Sequence, residues 1–287
     1  MPNLVTQAFF ESGLVPVVVL RQAEKGAALA RAIRAGGLNR WRSHCEQTPL
    51  WKPFVKRRTR YRTFWWAPGT VHSVDMARKV VDAGARFIVS PGLNRSVVTW
   101  CQEREIPVFP GISTPTELEA ALELGLTEVK FFPAEPSGGA SMLRALASPY
   151  QGVRFMPTGG IRLENLAQYL RLPNVLACGG SWICPGHLVE QNRFDQVTDL
   201  CRQAVKMVYQ FQLLKLTRPI AEETPVPVCL EDTLGMGPQR KLVFGVNHVA
   251  RALAALERLG YTRIPDESGT AVLNPVGSLM NQEKAVF

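Results

Sequence analysis

No run of about eighteen apolar residues occurs in the 287-residue chain, so the sequence offers nothing that would span a membrane. The N-terminus, MPNLVTQAFFESG, has no basic stretch leading into an apolar one and does not read as a secretory signal. Cysteine is sparse, and Cys45, Cys101, Cys178, Cys184, Cys201 and Cys229 form no C-x-x-C pair. Free thiols in a reducing cytoplasm are expected, not a disulfide frame. Histidine is scarcer still: His44, His72, His187 and His248 show no metal-ligand spacing, and neither metal nor cofactor is expected. With 46% apolar and 20% charged residues, the chain is neither disordered nor collagen-like.

The net charge of +9 is concentrated in one place. Residues 40–69 hold eight basic side chains (Arg40, Arg42, Lys52, Lys56, Arg57, Arg58, Arg60, Arg62) against one acid, Glu46. That segment therefore carries +7 and leaves +2 for everything else. It also contains four of the six tryptophans: Trp41, Trp51, Trp65 and Trp66. The protein is nearly neutral with one anomalous insert.

Elsewhere the chain alternates with a short beat. LVPVVV is a β-branched apolar run too short for a helix, and EKGAALARAIRAGGL follows at helical spacing up to Gly36–Gly37. After Thr70 come a helix (HSVDMARKVVDAGA), a strand (RFIVS), a helix (LNRSVVTWCQERE), a strand (IPVFPG), a helix (TPTELEAALELG) and a strand (EVKFF). Then SGGASMLRALA, VRFMPTGG, LENLAQYLRL and NVLACGGSW read as helix, strand, helix and strand. Short apolar strands separated by helices demand parallel βαβ units. With one strand allowed inside the insert the count approaches eight, which predicts a (β/α)8 TIM barrel over residues 1–207. The competing doubly wound sheet would favour a Gly-rich fingerprint after the first strand, and LRQAEKG has none. Residues 208–287 read as a Pro-bearing linker followed by a small α+β appendage, with a strand at LVFGV and an amphipathic helix carrying Val249, Leu253, Leu256 and Leu259.

Barrel chemistry sits at C-terminal strand ends. EVKFFPAE places Lys130 within an apolar strand, where desolvation favours the neutral, nucleophilic amine; a lysine at a strand edge with its stem snorkelling to water is the plainer alternative. PTGGI and CGGSW put Gly-Gly turns after two successive late strands. Backbone N–H groups there, with the hydroxyl of Ser181, can approach a phosphate, although tight turns alone also use glycine pairs. Thr70 and Pro91 fall at earlier strand ends, where Thr70 can bond a carboxylate or simply cap a helix.

SPGLN, STPTELEAALELG, VKFFPAE, FMPTGGI and PNVLACGGSW, in that order, closely resemble the 2-keto-3-deoxy-6-phosphogluconate / 4-hydroxy-2-oxoglutarate aldolases from about residue 13 to 206, except for 40–69. The resemblance implies a cytoplasmic, metal-independent class I aldolase and a homotrimer of (β/α)8 barrels, acting on a small keto-acid or sugar-acid phosphate. It implies that Lys130 is the Schiff-base lysine, that Thr70 and Pro91 line a pyruvate pocket, and that Gly159, Gly160 and Ser181 hold the phosphate. GVNHVARALAALERLGY resembles a helix in the vicinal-oxygen-chelate-like extension of some of these aldolases, here truncated.

The departure lies in the second strand. The family carries E-x-T-x-R-T after Gly-Gly-Leu, its glutamate shuttling the proton and its arginine gripping the carboxylate. By spacing, Arg42 and Glu46 occupy those two positions with both charges reversed. Reading each codon's third base with the next codon's first two, residues 41–47 can encode E-V-T-L-R-T, and residues around Trp65–Gly69 can encode V-G-A-G. Two compensating frameshifts bounding about 40–69 would account for the insert; a diverged or inserted basic segment is the plainer alternative. A second reading, from another class, is a catalytically dead barrel whose basic, Trp-rich segment binds nucleic acid or another polyanion; the aldolase reading expects no nucleic-acid partner.

Overall fold

In the computed structural model, an apolar plug precedes the first strand. Leu4–Ser12 forms helix α1, whose Val5 and Phe9 are buried. The sequence pattern as read above begins one element later, at β1 (Leu14–Val19). The structure describes residues 4–38, 40–44 and 65–209, and then 212–217, 228–231, 241–245, 249–258, 261–265 and 271–275. The insert residues 45–64, Glu46 and the basic cluster at 52–62 among them, lie outside the described residues. By its contacts the chain divides into two compact units, residues 1–205 and 206–287.

The first unit closes on itself. After β1 come α2 (Gly26–Ala35), β2 (Arg40–His44), β3 (Trp65–Gly69), α3 (Val74–Asp82), β4 (Ile88–Val89), α4 (Arg95–Gln102), β5 (Val108–Phe109) and β6 (Gly111–Ile112). Next are α5 (Pro115–Glu123), β7 (Glu128–Phe131), α6 (Gly139–Ala147), β8 (Arg154–Pro157), α7 (Leu163–Leu170), β9 (Cys178–Gly180), α8 (Gly186–Glu190) and α9 (Phe194–Tyr209). Strands β5, β4, β3, β2, β1 and β9 are neighbours in that order, and β6, β7 and β8 form a second group. Parallel bridges Phe155–Val175 and Thr158–Gly179 join β8 to the β9 side. Pro110 only interrupts a single strand: it has no N–H to donate, but its carbonyl accepts from Lys130 N at 2.8 Å. Counting β5 and β6 as one strand, eight parallel strands make a closed (β/α)8 barrel, and the open-sheet alternative falls. The insert was allowed one strand; the described residues at its margins supply two, β2 and β3, with Arg42 in register between Val17 and Ala67.

The barrel interior is layered. Phe9, Val15, Phe87, Val89, Phe109, Met156 and Ala177 form one buried cluster, with Phe9 edge-on to Phe87 and Phe109 at ring distances of 4.9 and 5.4 Å. Helix α1 thus stoppers the N-terminal mouth, and Thr6 donates to Glu128, which also pairs with Arg154. Cys101, Cys178, Cys184 and Cys201 are buried as thiols, not joined in disulfides. Burial pushes the Cys101 thiol up to about 12, with Arg104 pulling weakly the other way.

In the second unit, β10 (Gln212–Thr217), β11 (Val228–Glu231), β12 (Lys241–Gly245), α10 (Val249–Arg258), β13 (Tyr261–Pro265) and β14 (Ala271–Pro275) follow in sequence. The strands form a five-stranded sheet in the order β10-β12-β11-β14-β13. Two of them, β10 and β11, lie where the proline-bearing pattern reads as a linker: LLKLT and VCLE are short, and antiparallel pairing with β12 stabilises them. On α10, Leu253 and Leu256 are buried as the periodicity requires; the side chains of Val249 and Leu259 lie outside those described.

Candidate active site

Strand parity decides where Lys130 points. Lys130 is in register with Met156, and Met156 belongs to the interior cluster, so both face the barrel interior. Phe131, on the opposite face, instead meets Phe155 edge-on at 6.5 Å. Lys130 is only 1% exposed, which settles the choice left open by the sequence in favour of a buried amine over a snorkelling one. Two residues on, Phe132 shares its parity, and Nζ of Lys130 lies 3.7 Å from the Phe132 ring centroid. The sequence reading missed Phe132, although an aromatic at i+2 from a strand lysine is the available signal.

On the other side, Lys130 pairs with Gly111. A Cβ added at Gly111 would stand 2.0 Å from the carbonyl oxygen of Pro91 and 2.4 Å from its carbon. Only glycine lets the Pro91 turn approach β6, the strand paired with the lysine strand, this closely. Ser90 holds that turn: its N–H donates to Phe109 O at 3.3 Å and its hydroxyl to Gly92 O at 2.8 Å. Thr70 follows β3 at φ +76°, a conformation rare for a β-branched residue and one that clusters at functional sites.

Loops after the late strands complete this end. The N–H of Thr158 donates to Phe131 O at 3.0 Å, Ala134 N to Thr158 O at 2.8 Å, and Glu135 N to Gly159 O at 3.0 Å. The loops after β7 and β8 are therefore tied together. Gly159 and Gly160 take φ of +101° and +81°, and a Cβ at Gly160 would be 2.6 Å from both Cβ and Cγ of Glu135. Ser181 is exposed just beyond β9, where its carbonyl accepts from Cys184 N at 3.2 Å. The Thr158 hydroxyl, also missed by the sequence reading, is buried and has no hydrogen-bond partner among the described residues. Such a group in a native structure asks for a ligand or an ordered water.

Thr70, Pro91, Lys130, Gly159, Gly160 and Ser181 thus all follow, or lie within, strands of one parallel barrel, at their C-terminal side. Among the described residues no group of three or more His, Cys, Asp and Glu side chains is placed to hold a metal. The side chain of Arg42 is not among those described.

The model of the family "KDPG and KHG aldolase" matches residues 5–200. The chain belongs to this family. The 2-dehydro-3-deoxy-phosphogluconate aldolase of Treponema pallidum is 44% identical over 195 residues, covering 68% of this chain and 93% of that protein. The KHG/KDPG aldolase of Escherichia coli K12 is 39% identical over 197 residues, covering 67% and 91%. Among solved structures, the KDPG aldolase of Legionella pneumophila, with pyruvate captured as a covalent carbinolamine, superposes with a TM-score of 0.67 at 35% identity over 71% of this chain and 98% of that one. The Zymomonas mobilis 2-keto-3-deoxy-6-phosphogluconate aldolase with 3-phosphoglycerate gives 0.66 at 29% identity, covering 71% and 96%. As an aldolase of this family the chain is a lyase, and among its described residues no helix is long and apolar enough to cross a membrane.

Proposed function

We propose that this chain cleaves 2-keto-3-deoxy-6-phosphogluconate to pyruvate and glyceraldehyde 3-phosphate, 4-hydroxy-2-oxoglutarate to pyruvate and glyoxylate, or both, through a Schiff base on Lys130. The observation that carries the reading is the burial of Lys130 on the interior face, beneath a ring of strand ends and beside Phe132. Its amine attacks the C2 carbonyl of the substrate to give a carbinolamine, which loses water to form an iminium. A base takes the proton of the C4 hydroxyl as the C3–C4 bond breaks, and the electron pair moves into the iminium as an enamine. Protonation at C3 and hydrolysis release pyruvate and return the amine. Thr70 and Pro91 bound the keto-acid end, while the N–H groups of Gly159 and Gly160 and the hydroxyl of Ser181 take the phosphate. The barrel works as a homotrimer in the cytoplasm.

The base is what the chain as written lacks, since Arg42 and Glu46 replace the glutamate and arginine of the family motif. Losing a proton shuttle costs on the order of 10²–10⁴ in rate. Two proteins decide the matter: the chain as written, and one with residues 40–69 translated in the shifted frame. Borohydride with pyruvate is expected to fix a reduced adduct on Lys130 of the second, which releases pyruvate from at least one of the two substrates, while the first turns over at least about a hundredfold more slowly. An adduct on another lysine, or none in the frame-restored protein, would sink the mechanism. Equal turnover of the two would show the motif's glutamate and arginine to be dispensable here.

A further inference from the structure

A carboxylate is anchored beside the loop proposed to take the phosphate. The stem of Glu135 lies against Gly160, and its N–H holds the Gly159 carbonyl. Its side chain turns away from that loop: a Cβ on Gly139 would meet Oε1 of Glu135 and the hydroxyl oxygen of Tyr169 at 3.2 Å each. The phenol of Tyr169, fully buried in α7, donates to this same Oε1. Asn165, one turn earlier on α7, donates to the Gly160 carbonyl at 3.2 Å and accepts from Arg162 N at 2.8 Å. One helix therefore grips both the loop and the acid beside it.

We infer that Tyr169 is a positioning residue for phosphate recognition, acting through Glu135: its hydrogen bond keeps the carboxylate off the N–H groups of Gly159 and Gly160. The inference rests on the phosphate site proposed above. Freed of the phenol, a flexible anion tethered at Glu135 would compete for those donors and repel the incoming phosphate. Burial first, and then the bond to Glu135, raises the Tyr169 hydroxyl above its ordinary value of 10, so it remains a donor throughout the working range.

The test titrates the full chain with glycerol 3-phosphate by calorimetry and follows pyruvate trapping on Lys130 by borohydride. Tyr169→Phe is expected to weaken the phosphate ester about tenfold by unfavourable charge proximity and to leave pyruvate trapping unchanged. Glu135→Gln removes the charge and is expected to tighten binding severalfold. In the Glu135→Gln background, Tyr169→Phe is expected to have little further effect, because the pair acts as a unit. Equal weakening by Tyr169→Phe in both backgrounds would mean that the phenol merely packs, and would overturn the inference. No tightening by Glu135→Gln would overturn it too, even if Tyr169→Phe fails to fold. Ser181→Ala separates the two readings. If it weakens the ester while Tyr169→Phe does not, the phosphate site stands and this inference falls. If neither Ser181→Ala nor the glutamate change alters binding, or the unaltered chain takes no ester, the phosphate reading fails and takes the inference with it.

Discussion

Gly111→Ala is the sharpest steric test of the site. Gly111 has no positive φ, so alanine meets no backbone penalty and the effect is pure crowding. The new Cβ would stand 2.4 Å from the Pro91 carbonyl carbon, against about 3.5–4.0 Å for carbon atoms in contact. One of the two segments must move by roughly 1 Å, and both are backbone: one is the Pro91 turn, the other the strand paired with Lys130. Overpacking of this kind costs about 1–3 kcal/mol, and the upper end applies because no side chain can rotate aside. For a unit of this size about 3 kcal/mol lowers Tm by roughly 6–12 °C. A displacement of about 1 Å at the reacting centre costs about a hundredfold in rate. Thermal melting by circular dichroism and the rate of borohydride trapping with pyruvate in the frame-restored protein read the two effects separately. A variant that melts within a degree or two of the parent and traps pyruvate as fast would refute the close approach. A lowered Tm with an unchanged trapping rate would show that the Pro91 turn does not shape the keto-acid pocket.

Thr158→Val removes a buried hydroxyl that lacks a partner; stability in urea is expected to hold or rise by up to about 1 kcal/mol, while KM rises severalfold. A loss of more than about 1 kcal/mol would mean the hydroxyl is bonded in the free protein. Glu117 closes a capping box at the start of α5, accepting from Ser113 N and Oγ at 2.7 and 3.0 Å and from Thr114 N and Oγ1 at 2.9 and 3.0 Å. Burial would raise its carboxyl, but these bonds prevail and hold it below the ordinary 4.5. Because the folded-state value is the lower one, its contribution is complete above that ordinary value and disappears as pH falls through the depressed one. Glu117→Gln is expected to cost up to about 1 kcal/mol at pH 7 and less at a pH well below 4.5. Equal losses at the two pH values would contradict the charge-assisted cap.

Period and punctuation were enough for most of the barrel. LVPVVV, VRFMP and the helices ending at Gly36 and Gly84 are where the pattern puts them, because strands buried on both faces must be apolar and helices between them must be amphipathic. Helix α1 escaped notice because LVTQAFFES is only nine residues long, and its role as a stopper depends on strands far along the chain. Strands β10 and β11 escaped because short strands owe their existence to pairing partners, not to their own composition. In the site, Lys130 was legible as a charge inside an apolar run, and the glycine pairs as turns. Phe132, Thr158 and the Tyr169–Glu135 pair were not, since their importance lies in what three loops bring near them. Arg42 is the reverse case: spacing alone marks it as standing in the wrong place.

Closure of the barrel sets a timetable for synthesis. Strand β1 lies between β2 and β9, with Leu14 opposite Cys178, so 178 − 14 = 164 residues must be made before its second neighbour exists. At about 5–20 residues per second this takes roughly 8–33 s, during which one edge of an apolar strand stays open. An open apolar edge of that kind is a template for pairing with another nascent chain. Valine-rich β1, with Phe9 waiting beside it for a barrel to plug, is therefore the segment for which crowding of ribosomes on one message matters most, and slower elongation lengthens the exposure in direct proportion.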